Sequence, residues 1–445
     1  MIKKAWKQTV VGITTAALLL AGCSNLKGTE GVQPSGNSDK PVTITLHNWY
    51  LMKKDNWDVV IAEFEKSHPN IKVKFVSAED NNSLEFLKRL DLAVAGGDDL
   101  DVIINSLPSN FVPRAAQGMF EPLDEYLKKD GVNVSEEYNA DPKYMGKYYG
   151  LPGKYVTYLV AMNENHLKEA GLPIPKDWTW DEYMEYAKKM TKTDGAKKRY
   201  GAYFHSWIYF SYAAQDNQKQ NSGLMKDDLK TANVMNPLVR KSLELRLQGE
   251  KEGSVTPYSE VLSQKLAYRP QYFNQDASMI LTGSFLAQES GGTDQTPANF
   301  KTVFAPYPKV NKDDPMYTKA FSDILSVYSK SKHKQEAYTF IRWYTTEGIV
   351  KQKTYIPAWK KANMEQVVDA LRASSKNPEM IDKESLLNVL KNSIPQDLNI
   401  PVTYQAEVEK IWQEEFDKLM LQGQNIDTTM KNGQEKIQKL IDSKK

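Results

Sequence analysis

The 445-residue chain has a single cysteine, Cys23, so no intramolecular disulfide can form. Histidine is also scarce: the five present are scattered, and none opens a His-Glu-x-x-His pair. No Gly-x-Ser-x-Gly elbow, Walker-type phosphate loop or dinucleotide fingerprint occurs, which removes the usual sequence support for a serine hydrolase, an ATPase or a nicotinamide enzyme. Charge of one sign is missing too. Lys and Arg number 58 against 56 Asp and Glu, a net charge of +2 with no concentrated block. The short runs Lys197-Lys198-Arg199 and Lys332-His333-Lys334 sit beside polar turn residues and read as solvated surface, so nucleic acid is not an expected partner. Asp98, Asp99 and Asp101 lack the spacing and distal glutamate of a calcium loop. No cofactor or metal is expected, and there is no internal repeat.

What is present begins at the N-terminus. Lys3, Lys4 and Lys7 form a basic patch, and Val10 to Leu20 is an apolar stretch too short to span a bilayer comfortably. It runs into Leu20-Ala21-Gly22-Cys23, which resembles a bacterial lipobox. The resemblance implies a signal peptide over residues 1–22, cleavage before Cys23, and a diacylglyceryl group on that thiol. Two acyl chains anchor stably where one, at roughly 0.8 kcal/mol per buried methylene, does so only marginally. Residues 23–40 are rich in Gly, Ser, Asn and Pro and read as a solvated tether. The chain as a whole is 40% hydrophobic, and no second long apolar run follows the first. It is expected to be globular and monomeric, tethered to the extracytoplasmic face of the cell membrane.

Val42 to Leu46 alternates apolar and polar residues as a half-buried strand does, and Trp57, Val60, Ile61 and Phe64 then share one helical face up to His68-Pro69-Asn70. Ile71, Val73 and Phe75 mark a second strand. Leu84, Leu87, Leu90 and Val94 mark a second helix closed by Gly96 and Gly97, and Val102-Ile103-Ile104 is a buried third strand. This β-α-β-α-β order predicts an α/β fold with a mostly parallel sheet. Further on, Thr179 and Glu182 have capping-box spacing ahead of Tyr183, Ala187 and Met190. Val408, Ile411, Trp412 and Phe416, then Ile437, Leu440 and Ile441, predict two closing helices.

Several ordered segments resemble the family 1 extracellular solute-binding proteins, the class that includes maltodextrin-binding proteins. They are Phe64 through Val73 with Pro69-Asn70-Ile71; Asp101-Val102-Ile103 followed by Gly118, Pro122 and Leu123; Tyr149-Gly150-Leu151-Pro152; Thr179-Trp180-Asp181-Glu182; Ala277-Ser278-Met279 with Gly283-Ser284; Pro306-Tyr307-Pro308; and Lys330 through Glu347. The chain departs from the family pattern at Gln275-Asp276 and at Phe285, where Trp is common. The resemblance implies a two-lobed fold with three crossovers, near Tyr149 to Tyr155, near Phe300 and near Ile356-Pro357. The N-terminal lobe would then be 41–152 and 300–356, and the C-terminal lobe 153–299 and 357–445. It also implies a binding protein, not an enzyme, that takes a mono- or oligosaccharide in the interlobe cleft and hands it to separate ABC permease subunits. The competing readings are a lipid-anchored glycan-degrading enzyme, which needs two carboxylates flanking a glycosidic bond, and a non-transport carbohydrate receptor.

A sugar presents apolar CH faces and a ring of hydroxyls, so its pocket needs aromatic platforms and hydrogen-bonding side chains. Open α/β sheets bind ligands beyond strand C-terminal ends. That rule selects Asn48, Trp49 and Tyr50 after the first strand, and Asn105 and Ser106 after the third. Trp207 stands out within the aromatic cluster Tyr203 to Tyr212. By the resemblance, Tyr155 lies past the first crossover, Gly283, Ser284 and Phe285 line the cleft, and Ser322, Asp323 and Trp359 lie near the later crossovers. Trp57, Trp178, Trp180, Trp343 and Trp412 read as core.

Overall fold

The structure is a computed structural model and describes residues 40–77, 82–195, 197–220, 223–293 and 297–444. The signal segment, Cys23 and the tether up to residue 39 lie outside the described residues.

The opening elements form as the periodicity predicts. Strands Val42–Asn48 and Ile71–Ser77 pair in parallel with Ile44 opposite Val73, and Val102–Asn105 joins the other side with Leu46 opposite Val102. Helices Trp57–Ser67 and Ser83–Gly96 connect them. Trp57, Val60 and Phe64 are fully buried because their spacing puts them on one face. Trp57 stacks on Tyr344 at 4.7 Å, and Phe64 meets Phe340 edge-on at 4.9 Å. Asp101 is a structural tie: its Oδ2 accepts from the Thr45 backbone N–H at 2.8 Å and its Oδ1 from the Ser331 hydroxyl at 2.5 Å.

The sheet is mixed rather than mostly parallel. Beyond Val102–Asn105 come Ala320–Val327, then Leu151–Asn163, then Ala277–Gly283, each antiparallel to its neighbour; Lys197–Tyr203 follows in parallel and Lys192–Asp194 in antiparallel. Only parallel neighbours close in sequence need a helix-length crossover. The central strands arrive from distant parts of the chain, so the opening β-α-β-α-β pattern does not fix their direction.

Strand Leu151–Asn163 passes from one hydrophobic core to another. Leu151 and Tyr155 belong to the core of the opening elements, and Val156, Tyr158 and Val160 to a core built on helix Trp180–Met190. Ala320–Val327 makes the return passage: Phe321 packs on the second core, and Ile324 and Leu325 lie in the first. This passage comes later than the one expected near Phe300. Strand Thr302–Pro306 pairs with Asn163–Leu159, and Phe300 is itself buried against Tyr272 at 5.2 Å, so this stretch stays in the second body. The third passage runs beside the first, with the Tyr155 N–H donating to Ile356 O at 2.7 Å and the Ala358 N–H to Gly153 O at 2.8 Å. Helix Met364–Ala373 then buries Val368 and Leu371 in the second body.

Thr179 and Glu182 form the predicted capping box. The helix it starts packs so closely on strand Lys197–Tyr203 that a Cβ on Gly201 would lie 1.7 Å from Ala187 O, so only glycine fits. The two closing helices, Gln405–Gln422 and Ile426–Ser443, bury Val408, Trp412, Phe416, Ile437 and Ile441. Between them, burial alone would raise the Glu415 carboxyl, but bonds from Lys418, Lys436, Gln424 and Asn432 hold it down at about 2.

Candidate functional site

The passages bring two unlike walls together, one from each body. The first is built where strand Val42–Asn48 ends. Asn48 is fully buried, with its Oδ1 accepting from the Tyr50 N–H at 2.8 Å and its Nδ2 donating to Leu46 O at 3.2 Å. This side chain is committed to the turn and fixes the direction of the next two residues. Trp49 and Tyr50 stack at 4.7 Å. The Tyr50 hydroxyl donates to Asp323 Oδ2 in a short bond, and Lys154 Nζ donates to the Tyr50 hydroxyl at 2.8 Å while pairing with Asp323 Oδ2 at 3.2 Å. The same ammonium lies 5.0 Å from the Tyr50 ring centre and 4.9 Å from that of Tyr355. The Tyr355 hydroxyl reaches Asp55 Oδ1 at 2.6 Å.

Burial raises the Asp323 carboxyl, opposed by Lys154 and Tyr50, and raises Asp55, opposed by its bond from Tyr355. Burial and the Asp323 charge push the Tyr50 hydroxyl well above its ordinary range, so it stays a donor. Asp323 Oδ1 is buried and has no hydrogen-bond partner among the described residues.

The second wall follows strands Lys197–Tyr203 and Ala277–Gly283. His205 stacks on Trp207 at 4.4 Å and on Phe210 at 4.5 Å, and lies 4.7 Å from Tyr268. Burial holds the imidazole down at about 3, so it is neutral at ordinary pH. Trp207 rests on this base with 39% of its surface exposed. Tyr209 and Phe285 extend the aromatic face at 5.8 Å from Trp207 and 6.2 Å from Tyr268. A Cβ at Gly283 would come 2.5 Å from the Phe285 ring and 2.6 Å from Val156, so the glycine lets Phe285 fold over the passage strand. Ser284 is used internally, its Oγ accepting from the Thr157 N–H at 3.2 Å.

One ion pair joins the walls. Glu289 takes two bonds from Arg269, at 2.5 and 2.8 Å, and Lys54 reaches it from the first wall at 3.3 Å. Burial would raise this carboxyl, but Arg269 and Lys54 together keep it below its ordinary value. A separate depression of about 390 Å³, lined by Asp91, Val94 and Arg114 among others, shares no residue with either wall.

Of the residues selected from sequence, Trp49, Tyr50 and Asp323 meet in the first wall, and Trp207 and Phe285 in the second. Asn105 is buried with its Nδ2 donating to Ile324 O at 3.2 Å, and Ser106 accepts from Asn110 at 3.0 Å, so both brace the strand end. Ser322 donates to Lys154 O at 2.9 Å and holds the passage strands together. Trp359 packs half-buried on the first core. Tyr155 points away from both walls, since successive side chains of a strand alternate and Lys154 and Val156 face the walls. Sequence reasoning missed Lys154, Asp55, Tyr355, Tyr209, Tyr268, Arg269 and Glu289. For Lys154 a signal existed, because a strand that presents Val156 also presents residue 154. Among the described residues, no cluster of His, Cys, Asp and Glu is placed to hold a metal, and no helix is long and apolar enough to cross a membrane.

This chain belongs to the bacterial extracellular solute-binding protein family, whose model matches residues 52–351. A multiple sugar-binding protein of Streptococcus mutans is 26% identical over 371 residues, covering 79% of this chain and 80% of that protein. Two solved structures share the two-lobed fold at a TM-score of 0.73. One is a Rhizobium etli sugar transporter in an open conformation, 20% identical over 89% of this chain and 99% of that one. The other is a Listeria monocytogenes ABC substrate-binding protein in complex with cycloalternan, 21% identical over 90% of this chain and 99% of that one.

Proposed function

We propose that this protein captures a neutral sugar or oligosaccharide between the two walls and presents it to the membrane subunits of an ABC importer. The observation that carries the reading is the pairing of surfaces. The partly exposed Trp207 face suits the CH side of a sugar ring, and Asp323 Oδ1 of the first wall, which has no partner among the described residues, suits a hydroxyl donor. The names of the Streptococcus relative and of the ligand in the Listeria complex support the sugar class. Charge supports neutrality. The cations Lys54, Lys154 and Arg269 face Asp55, Asp323 and Glu289, and each of the six is already engaged by a partner within the chain. A charged ligand would enter without a free counter-charge, and burying an unpaired charge is costly.

The Leu20-Ala21-Gly22-Cys23 sequence supports delivery at the membrane by an acylated Cys23. In the native host, Cys23→Ala should release the protein from membranes; continued membrane association would reject the anchor. The ligand reading is tested by calorimetric titration with neutral oligosaccharides and with matched uronates. Saturable binding of a neutral sugar that is recovered intact supports it. Turnover of the sugar would favour a glycan-degrading enzyme, and preference for a uronate would overturn the neutral assignment.

A further inference from the structure

The passage strands carry a second polar station, separate from the network around Lys154. Phe321 pairs with Val156, Ala320 with Thr157, and the Tyr158 N–H donates to Lys319 O at 3.0 Å. Alternation therefore puts Lys319 and Phe321 on the face of Val156 and Tyr158, which is the face of the walls. There the Lys319 ammonium lies 4.1 Å from the centre of the Tyr209 ring. Tyr209 in turn lies 5.8 Å from Trp207 and accepts from the Tyr158 hydroxyl at 3.0 Å. Glu409, near the start of helix Gln405–Gln422, brings a carboxyl within range of the Lys319 charge. Burial raises that carboxyl, opposed by a bond from Gln405 at 3.1 Å and by Lys319. Both side chains are half-buried, yet among the described residues no ion pair joins them. An ammonium and a carboxyl thus face each other across a gap beside an aromatic ring.

We infer that Lys319 and Glu409 form a second hydroxyl-binding site and that the ligand is a chain of two or more linked sugar units. This rests on the reading that a neutral sugar is held between the walls. An ammonium only donates and a carboxylate only accepts, so a hydroxyl in the gap accepts from one and donates to the other. Tyr209 supplies an apolar face beside it. One cation facing one acid leaves no free charge, in keeping with a neutral ligand. Spacing sets the length. Lys319 and Asp323 lie four residues apart along one strand, about 13 Å at ordinary strand rise. One sugar ring with a hydrogen bond of about 3 Å at each end falls short of that span, and two linked rings cover it. Extension the other way is blocked, because the Lys54–Glu289 pair already joins the walls there. Glu289 follows strand Ala277–Gly283, which lies across Leu151–Asn163 from Ala320–Val327. Added units therefore run toward Lys319.

The test is calorimetric titration of wild type, Lys319→Met and Glu409→Gln with the maltose, cellobiose, mannobiose and xylobiose series, each from its monosaccharide to its tetrasaccharide. In the series that binds, wild type should take an oligomer at least about tenfold tighter than the monosaccharide. Each variant should lose about three- to tenfold for that oligomer and keep its monosaccharide affinity and melting temperature. Such a loss, confined to the longer ligands, is one that a merely structural role would not produce. Equal wild-type affinity for the monosaccharide and its oligomers would overturn the inference and leave the sugar reading standing. So would variants that lose nothing at any length, or that lose as much for the monosaccharide, since both residues would then touch the first unit. Should Glu409→Gln melt early, Lys319→Met, which breaks no ion pair among the described residues, still decides. If wild type binds no member of any series, the functional reading fails and the inference falls with it.

Discussion

The two walls solve the same problem with different chemistry. In the first, each polar group is locked by another: Lys154 holds Asp323 and Tyr50, Asp55 holds Tyr355, and Asn48 holds the turn that aims Trp49. In the second, aromatic rings stack on a neutral histidine and leave Trp207 part-exposed. A buried polar network is rigid when satisfied and expensive when one member is lost, whereas stacked rings lose area in proportion to what is cut away. The first wall should therefore register damage as lost stability and the second as lost affinity.

The largest effect should come from Asp323→Ala. It leaves the Lys154 ammonium, whose side chain is 12% exposed, without its carboxylate. Removing one partner of a buried pair costs about 3–5 kcal/mol, and adding Lys154→Met should recover much of that loss. Urea unfolding of the single and double variants checks this; a single variant as stable as wild type would break the contrast from the first wall's side.

Trp207→Ala should leave ligand-free stability nearly unchanged and weaken sugar binding by about 1–3 kcal/mol, roughly tenfold to a hundredfold. Early melting of this variant would make the second wall a core as well. A pH effect follows from His205, held at about 3 in the folded protein against an ordinary 6.5 because burial disfavours its charge. Between those values the unfolded chain binds a proton that the folded one does not, so stability should be full above 6.5 and decline as pH falls toward 3. The pH dependence of the melting temperature should lose this component in His205→Gln; identical profiles would show that the imidazole is not held neutral. The smallest effect belongs to Lys54→Met. Its side chain is 30% exposed, and a pair of that kind is worth at most about 1 kcal/mol. Wild-type affinity should therefore fall slightly with salt while that of the variant does not.

The same contrast explains what was legible in the sequence. Periodicity carried the opening strands and helices because local spacing alone decides which face is buried, and the strand-end rule led to Trp49 and Tyr50. Trp207 was found as part of an aromatic cluster contiguous in sequence. The network around Lys154 was not, because its members come from separate passages: Tyr50 and Asp323 lie 273 residues apart and meet only when the sheet is assembled. Glu289 was missed for the same reason, since Lys54, which it meets across the walls, lies 235 residues away. Tyr155 was selected by its place in the chain and turned away by strand alternation, and the passage expected near Phe300 came later because Thr302–Pro306 first pairs within the second body.

The most direct measurement is calorimetric titration of wild type and Trp207→Ala, side by side, with a series of neutral mono- and oligosaccharides, followed by recovery of the ligand. The expected result is saturable binding of at least one neutral sugar by wild type, weakened about tenfold or more in the variant, with the sugar returned intact. Failure of wild type to bind any neutral sugar in a broad series, or equal affinity in the two proteins, would contradict the account.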